Sequence, residues 1–266
     1  MLLLLFASCC SALSPSHAPR VTIDITASHS VTLRVPEDDS IMEAVMSRAH
    51  AEAAAAGPDL YDEVMEERCR TYLGDHPQYW AQVWPSAVAA SRRILLDTSL
   101  VSGKAVLEIG AGLGLCSVCA ALAGAAAVVA TDRDADALRF AAANAAQNGV
   151  QHLVRTEQLD WSQSEEEEPE RFDTVLAADV IYDESAAQKI AELLHARVLP
   201  DRGLVVLTDN ADRPYGAQRR EKLVQLLCES GDFEEVHTES RRTRVQLETR
   251  QGSDFSISEL LLRRKP

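Results

Sequence analysis

Three glycines at alternate positions, Gly110, Gly112 and Gly114, interrupt an apolar run that begins at Ala105 and resumes at Leu115. Each glycine costs backbone entropy, so three in such a row mark a place where something approaches the main chain closely. A strand predicted over 105–109 and a helix predicted over 114–124 flank them, so the turn offers backbone N–H groups to a ligand with no side chain in the way. Open α/β sheets bind ligands at the carboxyl ends of their strands, which is where this turn lies. Asp132 follows about twenty residues later, at the end of the next predicted strand. A carboxylate there can accept hydrogen bonds from both hydroxyls of a ribose.

Dinucleotides and S-adenosylmethionine share this arrangement. The dinucleotide fingerprint asks for a glycine or alanine where this chain has the larger Leu115. Glu108 places negative charge just before the glycines. That is unfavourable beside a pyrophosphate and favourable beside the ammonium and sulfonium of S-adenosylmethionine, so the methyl donor fits better. Alone, Asp132 would read equally well as the cap of the next helix, and the glycines as a tight turn.

The elements that must position these residues follow a βα rhythm. Apolar strands are predicted near 105–109, 127–131, 153–157, 173–178 and 203–208, with helices near 114–124, 134–147, 184–198 and 216–230. The segments "EEVHTES" and "FSISELLLR" close the chain as an antiparallel pair joined by a charged turn. The fold class is therefore α/β: a Rossmann-like, doubly wound, mostly parallel seven-stranded sheet with helices on both faces. Upstream lies a small α+β extension. "VTIDI" and "SVTLRV" alternate as a hairpin turning at 27–29, and "SIMEAVMSRAHAEAAAA" follows as a helix with Ser40 and Glu43 at capping-box spacing, ended by Gly57 and Pro58. A second helix is predicted from about 59 to 73 with Leu60, Val64, Cys69 and Tyr72 on one face, and Pro85 can open a third just after Trp84. The expected organisation is a leader over 1–20, an extension over 21–73 and the ligand-binding domain over 74–266.

With "YWAQVWPSA", "VLEIGAGLGL", "VVATDRD", "LDW" and "FDTVLAADVIYDES" in this order, the chain resembles the seven-β-strand class I S-adenosylmethionine-dependent methyltransferases. Within them it is similar to the lysine-methyltransferase-like family, most of all the branch that includes electron-transfer-flavoprotein β-subunit lysine methyltransferases. The resemblance runs from about Gly74 to Tyr215. It implies that Trp84 borders the cofactor, that Gly110, Ala111 and Gly112 pass beneath its methionine part, and that Asp132 holds its ribose. It further implies that Trp161 lies against the adenine, that Ala178 lines the floor, and that Asp179 and Tyr182 face the methyl group. Where that branch resembles Asp-Pro-Gly-Arg after the fifth sheet strand, this chain reads Asp209, Asn210, Ala211, Asp212, Arg213.

Methyl transfer from a sulfonium needs a neutral nucleophile held in line behind the methyl with water excluded, and no metal. A lysine amine must therefore lose its proton or enter neutral. Asp179 can orient it by accepting a hydrogen bond, while Tyr182 shapes the channel and faces the departing proton. "DVIY" lacks the two prolines of the [DN]-P-P-[YF] motif that resembles methyltransferases of exocyclic base amines and glutamine amides.

Composition narrows the partners. The net charge of −15 repels a phosphate backbone, which argues against nucleic acid and towards a basic protein or a small molecule. Cys116 and Cys119 form a CxxC with no second pair, read as buried apolar side chains rather than a zinc or redox site. The run Glu165 to Glu168 is a solvated loop. The apolar start "MLLLLFASCCSALS" is too short to span a bilayer and lacks a positive n-region. It is read as a targeting segment or a misplaced start. An intracellular donor points to an organelle, mitochondrion or plastid, or to the cytoplasm. The expected activity is methylation of a protein lysine; a small-molecule acceptor, or a silent S-adenosylmethionine binder acting through protein contacts, are the alternatives.

Overall fold

A computed structural model describes residues 13–70, 78–161, 163, 169–182, 185–247 and 250–266. The acidic run at 165–168 and the first twelve residues, where most of the apolar start falls, lie outside them. The described residues contain a seven-stranded sheet in the order β5-β4-β3-β6-β7-β9-β8. Its strands are β3 (Ala105–Ile109), β4 (Ala127–Asp132), β5 (Val154–Gln158), β6 (Thr174–Ala178), β7 (Leu204–Asn210), β8 (Phe233–Leu247) and β9 (Arg250–Arg264). The five strands β3 to β7 run parallel; β9 enters antiparallel against β7 and carries β8 on its outer edge. Strand order reverses at β3, between β4 and β6, which opens a crevice at the carboxyl ends of those strands.

The sheet is buried on both faces, as a parallel sheet requires. In β3, Val106 packs into one apolar layer while Leu107 and Ile109 pack into the other. The first layer is built with α3 (Pro85–Leu96), α4 (Leu115–Leu122) and α5 (Ala135–Gln147), the second with α6 (Ala186–Arg197) and α7 (Gly216–Glu229). Period-two alternation thus sends Glu108 towards the layer containing α4, where it meets Ser117.

Upstream, β1 (Arg20–Thr26) and β2 (His29–Arg34) form the expected hairpin, followed by α1 (Asp38–Ala56) and α2 (Tyr61–Arg70). The hairpin's inward side chains Ile23, Ile25, Val31 and Leu33 share the apolar layer of α4 and α5. Asn144 in the last turn of α5 and Asn148 at its C-cap treat the edge of β2 as a neighbouring strand would. Asn148 Oδ1 accepts from Thr32 N at 3.2 Å and its Nδ2 donates to Thr32 O at 2.8 Å. Asn144 Oδ1 accepts from Arg34 N at 2.6 Å, while its Nδ2 donates both to Arg34 O at 3.3 Å and to Leu113 O at 2.9 Å.

Three sequence expectations need correction. Ser40 and Glu43 do not cap α1: the helix starts at Asp38 with Glu37 as N-cap and no side-chain cap bond. Asp38 and Asp39 lie in its first turn, where they complement the helix dipole. Leu60 precedes α2 and is exposed rather than facing a core; Tyr72 lies outside the described residues. The closing strands are fifteen residues each, far longer than expected. Among the described residues no helix is long and apolar enough to cross a membrane.

Candidate functional site

A cavity of about 600 Å³ opens at the carboxyl ends of β3, β4 and β6. Its floor is the β3–α4 turn. Gly110, Gly112 and Gly114 all have positive φ, at 63°, 51° and 77°, a region closed to most side chains. Each glycine has its own neighbour. A Cβ on Gly110 would stand 3.1 Å from Val180 and 3.4 Å from the Trp161 ring, and one on Gly112 would stand 3.0 Å from the main-chain oxygen of Trp80. Gly110, Ala111 and Gly112 line the cavity; Gly114 does not. It sits at the N-cap of α4, where a Cβ would meet Ala141 of α5 at 2.9 Å, so its bareness serves helix packing rather than a ligand.

Asp132, at the end of β4, lines the cavity and is 8% exposed. One of its oxygens accepts from Gly112 N at 2.9 Å and the other from Asp134 N at 3.0 Å. A carboxylate offers about four acceptor sites, so both oxygens retain capacity for a ligand's hydroxyls. Burial raises its pKa, an effect these backbone donors oppose. Glu108 also lines the cavity, and its Oε2 accepts from Ser117 N at 2.8 Å and from Ser117 Oγ. Burial pushes the Glu108 carboxyl up to about 7, against the hydrogen bonds from Ser117. Such a group ionises readily beside a bound cation. Trp161, half-buried, forms the wall against Gly110. Cys116 and Cys119 are buried within α4, and burial raises both thiols, Cys119 to about 12.

Trp84, Ala178, Asp179 and Tyr182 all line the same cavity. Asp179 follows β6 with φ 58°, a costly conformation for a non-glycine residue that packed structure must enforce. Its N–H donates to Thr208 O at 2.9 Å. Ser86 Oγ, in the first turn of α3, donates to Asp179 Oδ2 at 2.6 Å, and Arg213 Nη2 pairs with Oδ1 at 2.8 Å. Arg213 also lines the cavity. Behind this pair the fully buried Asp209 is held by Arg220 at 2.9 Å. Burial, then the neighbouring Asp179 carboxyl, push the Asp209 pKa up. Asp209 Oδ1 and Arg213 Nη1 are buried without a hydrogen-bond partner among the described residues. The segment that departs from Asp-Pro-Gly-Arg therefore supplies the cation that neutralises Asp179.

Sequence reasoning singled out ten of these cavity residues and missed Ser86, Arg213 and Tyr79. Ser86 and Arg213 reach Asp179 from elements 93 and 34 positions away, counting from residue numbers, and no local spacing announces such a pairing. Tyr79 opens "YWAQVWPSA", six residues before the proline that starts α3, and the density of aromatic residues in that run was a usable signal.

Comparison with known proteins gives the following. A family model described as lysine methyltransferase matches residues 75–222. The electron transfer flavoprotein beta subunit lysine methyltransferase of Mus musculus is 32% identical over 152 residues, covering 56% of this chain and 57% of that protein. Protein N-lysine methyltransferase METTL21A of Danio rerio is 32% identical over 166 residues, covering 61% and 73%. The chain thus spans little more than half of the flavoprotein-subunit enzyme's length. Among solved structures, a proposed RNA methyltransferase of Pyrococcus horikoshii superposes with a TM-score of 0.54 at 18% identity, over 71% of this chain and 88% of that one. The [4+2]-cyclase SpnF superposes with 0.53 at 19% identity, over 70% and 83%. One fold carries both chemistries, so these likenesses establish the fold alone.

Proposed function

The chain belongs to the lysine methyltransferase family, and on that premise we propose that it transfers a methyl group from S-adenosylmethionine to the side-chain amine of a lysine in a protein substrate. The observation that carries the proposal is the convergence of the bare turn Gly110–Gly112, Asp132 and Asp179 on one cavity.

The residues present fit the cofactor. Positive-φ glycines keep the floor free of side chains, Asp132 keeps acceptor capacity for ribose hydroxyls, and Trp161 supplies an apolar wall for a planar base. Glu108 supplies a latent negative charge for a cationic ligand. When bound, S-adenosylmethionine supplies a methyl group on a positively charged sulfur, activated for displacement.

The chain's own work is then placement. Asp179, clamped by Ser86 and Arg213, offers remaining acceptor capacity to one N–H of the incoming amine and fixes its approach. Because Arg213 cancels its charge, Asp179 does not hold the amine in its protonated form as a bare carboxylate would, which suits a step that needs a neutral nucleophile. Tyr182 and Trp84 wall the mouth against water.

The test is transfer of label from S-adenosylmethionine incubated with the purified protein and a cell lysate. Label in a protein band, abolished when the candidate lysine is changed to arginine, supports the proposal. Label confined to small molecules, or no transfer by a protein that binds the cofactor, would overturn it.

A further inference from the structure

Tyr79 is 48% exposed although its neighbour Trp80 is buried. Its ring stands 5.9 Å from Trp84, edge to face at 70°, and 6.2 Å from Tyr182, tilted by 58°. All three rings line the cavity that also holds Asp179. Their backbones are tied down. Trp84 Nε1 donates to Tyr79 O at 2.8 Å, and Arg219 Nη1 donates to Tyr182 O at 2.7 Å. Core packing does not account for a half-exposed tyrosine fixed between two other aromatic residues at a cavity mouth.

The faces of aromatic rings attract alkylammonium groups within about 6 Å of the centroid, most strongly where water is partly excluded. Asp179 lines the same cavity, but Ser86 and Arg213 already engage both its oxygens, and the Arg213 guanidinium compensates its charge. An amine entering from water carries a proton at neutral pH, so its charge needs another host. We propose that Tyr79, Trp84 and Tyr182 form an aromatic cage that receives the acceptor's alkylammonium against the ring faces, with Tyr79 as its outer wall. That the ligand is a lysine side chain rests on the methyl-transfer reading; the cage itself requires only an alkylammonium. Ring faces need no N–H from their guest, so the cage accepts methylated and unmethylated ammonium alike.

The experiment is calorimetric titration of the full chain with choline and with its uncharged isostere 3,3-dimethylbutan-1-ol, in the presence and absence of S-adenosylhomocysteine. Choline is expected to bind at least fivefold more tightly than the isostere. Tyr79→Ala should weaken choline at least fivefold, and Tyr79→Phe, which keeps the ring face, should restore it. A cooperative melting transition reports that a variant is folded; if Tyr79→Ala fails that check, Tyr79→Leu takes its place with the same expectation. Equal binding of choline and the isostere, no binding of choline, or indifference of choline to a folded cage variant would overturn the cage. Failure of S-adenosylhomocysteine to bind the parent protein would instead strike the methyl-transfer reading and leave the choline result to judge the cage.

Discussion

At the scale of single residues, the cavity divides into a cofactor half and an acceptor half that respond differently to substitution. Asp132→Ala removes the acceptor of the Gly112 N–H together with the proposed ribose ligand. It should abolish cofactor binding in calorimetry, whereas Asp179→Ala should spare binding and cut transfer. Arg213→Gln leaves Asp179 a buried carboxylate without its cation. Breaking such a pair costs about 3 kcal/mol in unfolding free energy, and denaturant titration should read that loss. Glu108 gives the cofactor half a pH signature. Its carboxyl is raised from an ordinary 4.5 to about 7, so the folded protein binds more protons than the unfolded chain between those values. Stability from this group is fully present below 4.5, falls as pH rises to about 7, and is level above. A bound cation favours the ionised form, so cofactor affinity should rise with pH up to about 7, by at most about tenfold per pH unit, then flatten. Glu108→Gln should abolish that slope. The glycines and Asp132 were legible in the sequence because they follow or close apolar strands, whereas Asp179 was marked only by the resemblance to the family. Ser86, Arg213 and Arg220 were not, since each meets its carboxylate only once distant elements are packed.

At the scale of elements, legibility followed burial. Strands β3, β4, β6 and β7 are apolar on both faces, and the predicted and observed boundaries agree within two residues. Strand β8 reads "FEEVHTESRRTRVQL", dense in charge and exposed wherever its side chains are described except at Phe233 and Glu239. Its extended form comes from pairing with β9 and not from any alternation of its own. The α1 start was misjudged for a related reason: Ser40 and Glu43 have the right spacing, but the acidic pair Asp38 and Asp39 begins the helix earlier. At Gly114, α4 packs closely on α5. Gly114→Val would force a branched side chain into φ 77° and against Ala141, which lies 2.9 Å from its ideal Cβ. A loss of about 2 kcal/mol or more is expected in denaturant unfolding, with a weaker cofactor site because the turn must shift.

At the scale of the whole molecule, the family match begins at residue 75, yet the hairpin before it shares the main apolar layer. The asparagines that attach it separate two effects. Asn148→Ala removes the bonds to Thr32 and one to Asn144 O but none to the glycine turn, and should lower the melting temperature without changing cofactor affinity. Asn144→Ala removes bonds to Arg34 and to Leu113 of the glycine turn together, and should lower both. Melting curves with and without S-adenosylhomocysteine distinguish the two variants. Neither asparagine was singled out in the sequence, where they sit in a helix whose apolar face alone was readable. A single carboxamide thus serves as a rivet through two plates. A tug on the N-terminal ribbon, by a binding protein or a protease, reaches the glycine turn beneath the cavity through one nitrogen.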